Sequence, residues 1–153
     1  MTIRPIEPPD IEAVLAIQRA SAEVAQWIAS DYASVVTGGL SGWVAEECGA
    51  VAGFLVARWA AGDLEILNFA VRTDARRKGL GTSLLREALA WARTFRAERA
   101  LLEVRASNAA ALRFYERHGF QATGRRVRYY AAPTEDALLL TAEIASLADK
   151  MRL

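Results

Sequence analysis

The stretch "VRTDARRKGLGTSLLREALAWA", Val71 to Ala92, decides the fold. Three cations, Arg76, Arg77 and Lys78, stand in a row, and Gly79 and Gly81 follow them. Leu84, Leu85, Ala88, Leu89, Ala92 and Phe95 then recur on one face at helical spacing, so a helix is predicted over 81–95. The preceding "DLEILNFAVR" (63–72) reads as a strand. A helix start offers free N–H groups and a partial positive charge. Glycines let a ligand approach the backbone closely. Strand, glycine-rich basic turn and helix together make an anion site. A Walker loop needs Gly-Lys-Ser/Thr, whereas Gly81 is followed by Thr82 and Ser83. A dinucleotide fingerprint needs a third glycine where Leu84 stands. The pattern present is Arg76-x-x-Gly79-x-Gly81.

Working outward, "EPPDIEAVLAIQRASAEVAQW" (7–27) predicts a first helix with Asp10 as N-cap and an apolar stripe over Ile11, Val14, Leu15, Ala16 and Ile17. "SDYASVVTGGL" (30–40) predicts a short second helix ended by Gly38 and Gly39. "GWVAEECGAVAGFLVARWA" (42–60) predicts a hairpin turning near Glu47 to Ala50. "RALLEVR" (99–105) is a strand, and "SNAAALRFYERHG" (107–119) a helix with Asn108 as N-cap and Gly119 past its end. "FQATGRRVRYY" (120–130) and "EDALLLTAEI" (135–144) predict two closing strands. The order α, α, β, β, β, α, β, α, β, β implies an α/β fold with a mixed sheet and helices on both faces.

Composition bounds the function. The chain has 153 residues, 53% apolar and 24% charged, which suits one globular domain over 1–153. A net charge of +1, from 19 Lys+Arg against 18 Asp+Glu, argues against a bulk nucleic-acid binder. Neither a signal peptide nor a membrane-spanning run is expected, so the expected location is cytoplasmic. The single Cys48 excludes an internal disulfide and a multi-cysteine metal site, and no metal is expected.

The Arg76-x-x-Gly79-x-Gly81 pattern, set between "LNFAVR" and an amphipathic helix, resembles the acyl-coenzyme-A loop of the GNAT acetyltransferase superfamily. "LEVRASNAAA", "FYERHGF", "RRVRYY" and "EDALLLT" narrow the resemblance to the RimI type, ribosomal-protein-alanine N-acetyltransferases. It covers about residues 42 to 144. It implies a twisted mixed sheet, splayed at its centre between the strand ending at Val71 and the strand carrying Glu103, with acetyl-CoA entering there. It also implies a protein or peptide N-terminal α-amine as acceptor, the alanine of ribosomal protein S18 among the candidates, with no direct nucleic-acid or membrane partner.

The resemblance assigns roles residue by residue. Glu103 would be the general base, through a water, and Tyr115 the general acid to the coenzyme-A sulfur. The N–H of Val71 would polarise the thioester carbonyl, and Asn108 would touch the pantetheine arm. Phe69, Ala70, Arg76, Arg77, Lys78, Gly79, Leu80, Gly81 and Thr82 complete the implied cofactor contacts. Glu65, which alternates with Leu64 and Ile66, is a candidate substrate carboxylate, Asn68 is a candidate substrate contact, and the resemblance implies a contact role for one of Tyr129 and Tyr130. The chemistry requires such groups: a neutral amine, a proton for the departing thiolate, and a donor to the oxyanion. A phenol of pKa ~10 is a modestly mismatched acid for a thiolate whose thiol titrates near ~8.5.

Each of these residues also has a plainer reading. Glu103 alternates with Leu102 and Val104, so it points to the opposite face, where a strand glutamate is ordinarily solvated or ion-paired. Tyr115 beside Phe114 can be a core aromatic, and Glu65 can be plain surface. His118, in a last helical turn, suits the helix dipole and reads as structural. Cys48 reads as inert. Trp27 and Tyr32 either line a peptide groove or pack, with packing the preferred reading. Where RimI-type enzymes carry Pro before this Trp, the chain has Gln26. A GNAT enzyme for a small amine or lysine, and a non-catalytic acetyl-CoA-binding regulatory module, are the alternatives.

Overall fold

The computed structural model describes residues 1–131 and 133–153. The strands are β1 (Thr2–Pro5), β2 (Ser41–Glu47), β3 (Ala50–Ala60), β4 (Asp63–Val71), β5 (Arg99–Arg105), β6 (Gln121–Ala131) and β7 (Thr134–Glu143). The helices are α1 (Ile11–Arg19), α2 (Ala29–Thr37), α3 (Leu80–Thr94), α4 (Ala109–His118) and α5 (Ile144–Met151). The sheet order is β1-β2-β3-β4-β5-β7-β6. β4 and β5 are parallel, while the β1–β2, β2–β3, β5–β7 and β6–β7 pairs are antiparallel, so the sheet is mixed as expected. By compactness the chain divides into Met1–Arg58 with Ile66–Trp91, and Trp59–Glu65 with Ala92–Leu153.

The first unit gathers Ile6, Val14, Ile17, Tyr32, Val44, Phe54, Val56 and Ala70 into a buried cluster. The β2–β3 hairpin turns through Cys48 and Gly49, with φ of 54° and 78°, the left-handed pair that suits a two-residue hairpin loop. Gly42 is required by closeness: a Cβ there would stand 2.8 Å from Ile6 Cδ1 and 2.9 Å from Val35 Cγ1.

In the second unit, β5 alternates buried Ala100, Leu102 and Val104 with half-buried Leu101, Glu103 and Arg105, as its sequence predicts. Its registered partners on β4 are Asp63↔Arg99, Leu64↔Ala100 and Glu65↔Leu101. Asn108 caps α4, its side chain accepting from the Ala111 N–H at 3.2 Å, and Gly119 ends the helix at φ 109°. Both match the sequence reading.

Four expectations need correction. The first helix stops at Arg19, not near residue 27; residues 22–24 turn, and residues 25–28 run without regular structure. Asp10 does not cap it by its side chain. Its carboxylate accepts instead from the Arg4 guanidinium at 2.7 and 2.8 Å and from the Glu7 N–H at 2.8 Å. Phe95 leaves the buried face of α3: its N–H bonds to Ala92 O in a tighter turn, Arg96 follows at φ 58°, and the ring, 46% exposed, stacks on Trp59. The element order also gains β1 at the start and α5 at the end, where Ile144, Leu147, Ala148 and Met151 are buried.

Candidate functional site

In the first unit, the end of β4 leads through a short turn at Thr73–Ala75 into the basic loop. β4 alternates, so Phe69 and Val71 lie half-buried on one face while Asn68 and Ala70 are buried on the other. Arg76 folds back, its Nε donating to Val71 O at 3.1 Å. Arg77 and Gly79 both take left-handed backbone, φ 63° and 84°. Such alternation turns successive N–H groups into a concave anion nest. The Ser83 N–H donates to Gly79 O at 3.0 Å, so α3 is launched from Gly79. Its first turn carries Leu80, Gly81 and Thr82. Lys78 is exposed and pairs with Glu47 at 2.9 Å, an ion pair that raises its pKa.

Asn68 sits in a buried polar chain. Its Nδ2 donates to Tyr32 Oη at 2.9 Å and to Ala25 O at 3.0 Å, and its Oδ1 accepts from the Phe69 N–H. The Tyr32 hydroxyl donates to Gln18 Oε1, which also accepts from the Trp27 N–H. Burial pushes the Tyr32 phenol well above its ordinary pKa, while the Asn68 hydrogen bond pulls the other way. Tyr32 packs edge-on to Phe54 and tilted against Trp27, so packing is the role that these contacts show. Gln26, which replaces the expected proline, donates through Nε2 to the carbonyls of Gln18, Ser21 and Val24. An amide thus closes the turn that a ring would have stiffened.

In the second unit, Glu103 is ion-paired: its Oε1 lies 2.7 Å from Arg126 Nε. The plainer sequence reading included such a pair, but not the partner. Tyr115 is 6% exposed, with Phe114 and Phe120 edge-on at 5.2 and 5.3 Å. Burial drives its phenol well above the ordinary value. Asn108, on the loop after β5, is committed to its cap. Glu65 is half-buried on the face of β4 that registers with Leu101. Tyr129 is 53% exposed, while Tyr130 is half-buried under the Arg105 guanidinium, 4.3 Å from its ring centroid. Burial raises the Tyr130 phenol, and the nearby Glu103 charge adds to that. His118 Nδ1 bonds to Phe114 O at 2.7 Å, which ties the ring to its own helix.

Sequence reasoning missed Gln18 and Arg126, and it marked Gln26 without its partners. Gln18 lay on a predicted helix with nothing to mark its partner. Arg126 could be found only through strand register, and irregularities in β6 between Ala122 and Gly124 and between Arg126 and Tyr130 hide that register from any period-two reading. Among the described residues, no helix is long and apolar enough to cross a membrane, and no three His, Cys, Asp or Glu side chains gather as a metal site.

Comparison with known proteins gives these features a context. Residues 11–120 match the acetyltransferase (GNAT) family. The chain is 30% identical over 146 residues to the [ribosomal protein bS18]-alanine N-acetyltransferase of Escherichia coli strain K12, covering 94% of this chain and 98% of that protein. It is 36% identical over 97 residues to a protein of Bacillus subtilis strain 168 named putative [ribosomal protein bS18]-alanine N-acetyltransferase, covering 63% of this chain and 64% of the relative. A crystal structure of the ribosomal-protein-S18-alanine N-acetyltransferase from Escherichia coli superposes with a TM-score of 0.80 at 29% identity, over 94% of this chain and 93% of that one. Sequence and fold agree, and the chain belongs to the acetyltransferase (GNAT) family.

Proposed function

We propose that the protein is an acetyl-CoA-dependent N-acetyltransferase whose acceptor is a protein N-terminal α-amine, with the alanine terminus of ribosomal protein S18 as the leading candidate. The observation that carries this reading is the near full-length likeness to an Escherichia coli protein named for that reaction. On the same reading, residues 1–153 act as one catalytic domain in the cytoplasm.

The basic loop suits the pyrophosphate of acetyl-CoA. Left-handed Arg77 and Gly79 and the first turn of α3 offer N–H groups, and the cations supply charge. Phe69, Ala70 and Val71 follow β4 toward that loop, and the Val71 N–H is assigned to the thioester carbonyl. Asn108, engaged by its cap, would meet the pantetheine arm with its free amide nitrogen side.

Glu103 takes one proton from the acceptor ammonium through a water, and the freed amine attacks the thioester carbon. As the C–S bond breaks, Tyr115 protonates the thiolate. The proton lost from the new amide nitrogen restores the phenol, so one proton leaves in total. Burial keeps Tyr115 protonated until the thiolate departs. The same apolar surroundings would raise a neighbouring thiol too, so the leaving thiolate becomes a stronger base alongside the weaker acid.

The α-amine is favoured by magnitude. Freeing it at neutral pH costs about 1 kcal/mol, against about 4–5 kcal/mol for a lysine amine. Glu65, Asn68, Tyr129 and Tyr130 are assigned to the acceptor, with Asn68 acting through the Trp27 turn that it braces.

A free-thiol release assay tests the reading, with acetyl-CoA and a peptide beginning Ala-Arg-Tyr. Peptide-dependent turnover should fall at least about tenfold in Glu103→Gln and in Tyr115→Phe. Turnover on small amines or free lysine in place of the peptide would move the acceptor. Tight acetyl-CoA binding with no turnover on any amine would leave a regulatory module.

A further inference from the structure

The Glu103–Arg126 ion pair is built across three strands. Glu103 on β5 registers with Leu139 on β7, and Arg126 on β6 registers with Ala137 two residues along. The two side chains therefore meet over the middle strand, and Ala137 is small enough to let them pass. The Arg126 guanidinium also lies 5.3 Å from the ring centroid of Tyr129, which steadies its fork. Two neighbouring guanidiniums have carboxylates of their own. Arg105 is held by Glu135 at 3.3 Å and by Pro133 O at 3.2 Å, and Arg125 by Asp136 at 2.6 Å. Arg126 is the more exposed partner in its pair, at 61% against 24% for Glu103.

We propose that Arg126 is a positioning residue for acetyl transfer: a resident counter-ion that holds the Glu103 carboxylate until the acceptor's ammonium displaces it. The inference rests on the reading of Glu103 as general base. A guanidinium keeps its protons at every working pH, so it occupies the carboxylate without protonating it. Ion pairs with an exposed partner are weak and readily exchanged, and a second cation of similar demand can take the place of the first. The exchange favours a charged amine over a neutral molecule at the moment of binding. It leaves the guanidinium on the Tyr129 ring, ready to return when the neutral amide departs.

The test is steady-state kinetics with saturating acetyl-CoA and the Ala-Arg-Tyr peptide. Removing a competing cation should tighten acceptor binding. Arg126→Gln is expected to lower the peptide KM about two- to fivefold, with kcat within about twofold of the parent. Arg126→Lys keeps a cation and should return KM toward the parent value, which a role in strand pairing alone would not require. In a Glu103→Gln background, where calorimetry reads peptide binding, Arg126→Gln should have no further effect. An unchanged or raised KM in Arg126→Gln, or equal effects of Gln and Lys, overturns the inference while a crippled Glu103→Gln leaves the general base in place. Undiminished turnover in Glu103→Gln, or no peptide-dependent turnover in the parent, overturns both.

Discussion

Asn68 and Tyr32, 36 residues apart, are joined by a 2.9 Å hydrogen bond inside the first compact unit. Asn68 is 4% exposed and Tyr32 fully buried. The bond ties β4 to α2, and through Gln18 and Ala25 it reaches α1 and the turns before Trp27. Tyr32→Phe should cost about 1–2 kcal/mol, because Asn68 and Gln18 each keep another partner. Asn68→Ala removes three bonds at once and should cost about 2–3 kcal/mol. Urea unfolding at pH 7 measures both.

The same tyrosine sets an alkaline limit. Its folded pKa lies above the unfolded value near ~10, and that of Tyr115 is shifted the same way by burial. A raised pKa means that the folded state holds the proton more tightly. The stability contributed is complete below about pH 10 and is lost as pH rises through the folded value. Unfolding free energy should hold through neutral pH and fall above about pH 10, less steeply in Tyr32→Phe. An equal fall in parent and variant would show that Tyr32 does not titrate in this way.

Asp10 works at the opposite end of the scale. Its hydrogen bonds from the Arg4 guanidinium hold its pKa below the ordinary carboxylate value, so its contribution is present above about pH 4 and lost as pH falls through the depressed value. Asp10→Asn should cost about 2 kcal/mol at pH 7, and markedly less at about pH 2. Denaturation curves at the two pH values separate this from a charge-independent packing effect.

Gly79 tests the proposed acetyl-CoA loop. A Cβ there would meet nothing within 4 Å, so Gly79→Ala is opposed by backbone strain alone, at φ 84°. Left-handed alanine costs about 1–2 kcal/mol, and relaxation of the loop would turn N–H groups away from an anion. Acetyl-CoA affinity by calorimetry should fall about five- to twentyfold, with the melting temperature lowered by only a few degrees. Full retention of affinity would remove the loop's geometry from the binding argument.

The loop, the β2–β3 hairpin, β5 and α4 were legible because their signals are local: glycines at turns, strict alternation, an asparagine cap. The failures share a cause. β1 is four residues long and is recognisable through its register with β2 and through the Arg4–Asp10 pair. The sequence predicts too long a first helix because Val24 and Trp27 pack on the core from irregular backbone, where periodicity counts them as helical. Of the candidate site, Glu103 and Tyr115 are readable as residue types in a pattern. Their surroundings are not, since Arg126 meets Glu103 only across a bulged strand.

α5 tests how far the missed end matters. Leu147 is 1% exposed, and its Cδ2 would lie 3.4 Å from a Cβ on Gly119. Leu147→Ala should cost about 2–4 kcal/mol, read by urea unfolding. A cost below about 1 kcal/mol would mean that the final helix is held by something other than this contact.

β6 closes one end of the strand order, and an end strand is a template on which another chain could extend the sheet. Along it stand Arg125, Arg126 and Arg128, and Arg128 takes a left-handed φ of 53° that bends the strand away from a straight line. Two copies approaching edge to edge would bring like charges together on kinked backbones. The arginines that engage Glu103 and Asp136 within the molecule thus also discourage its self-association into fibres.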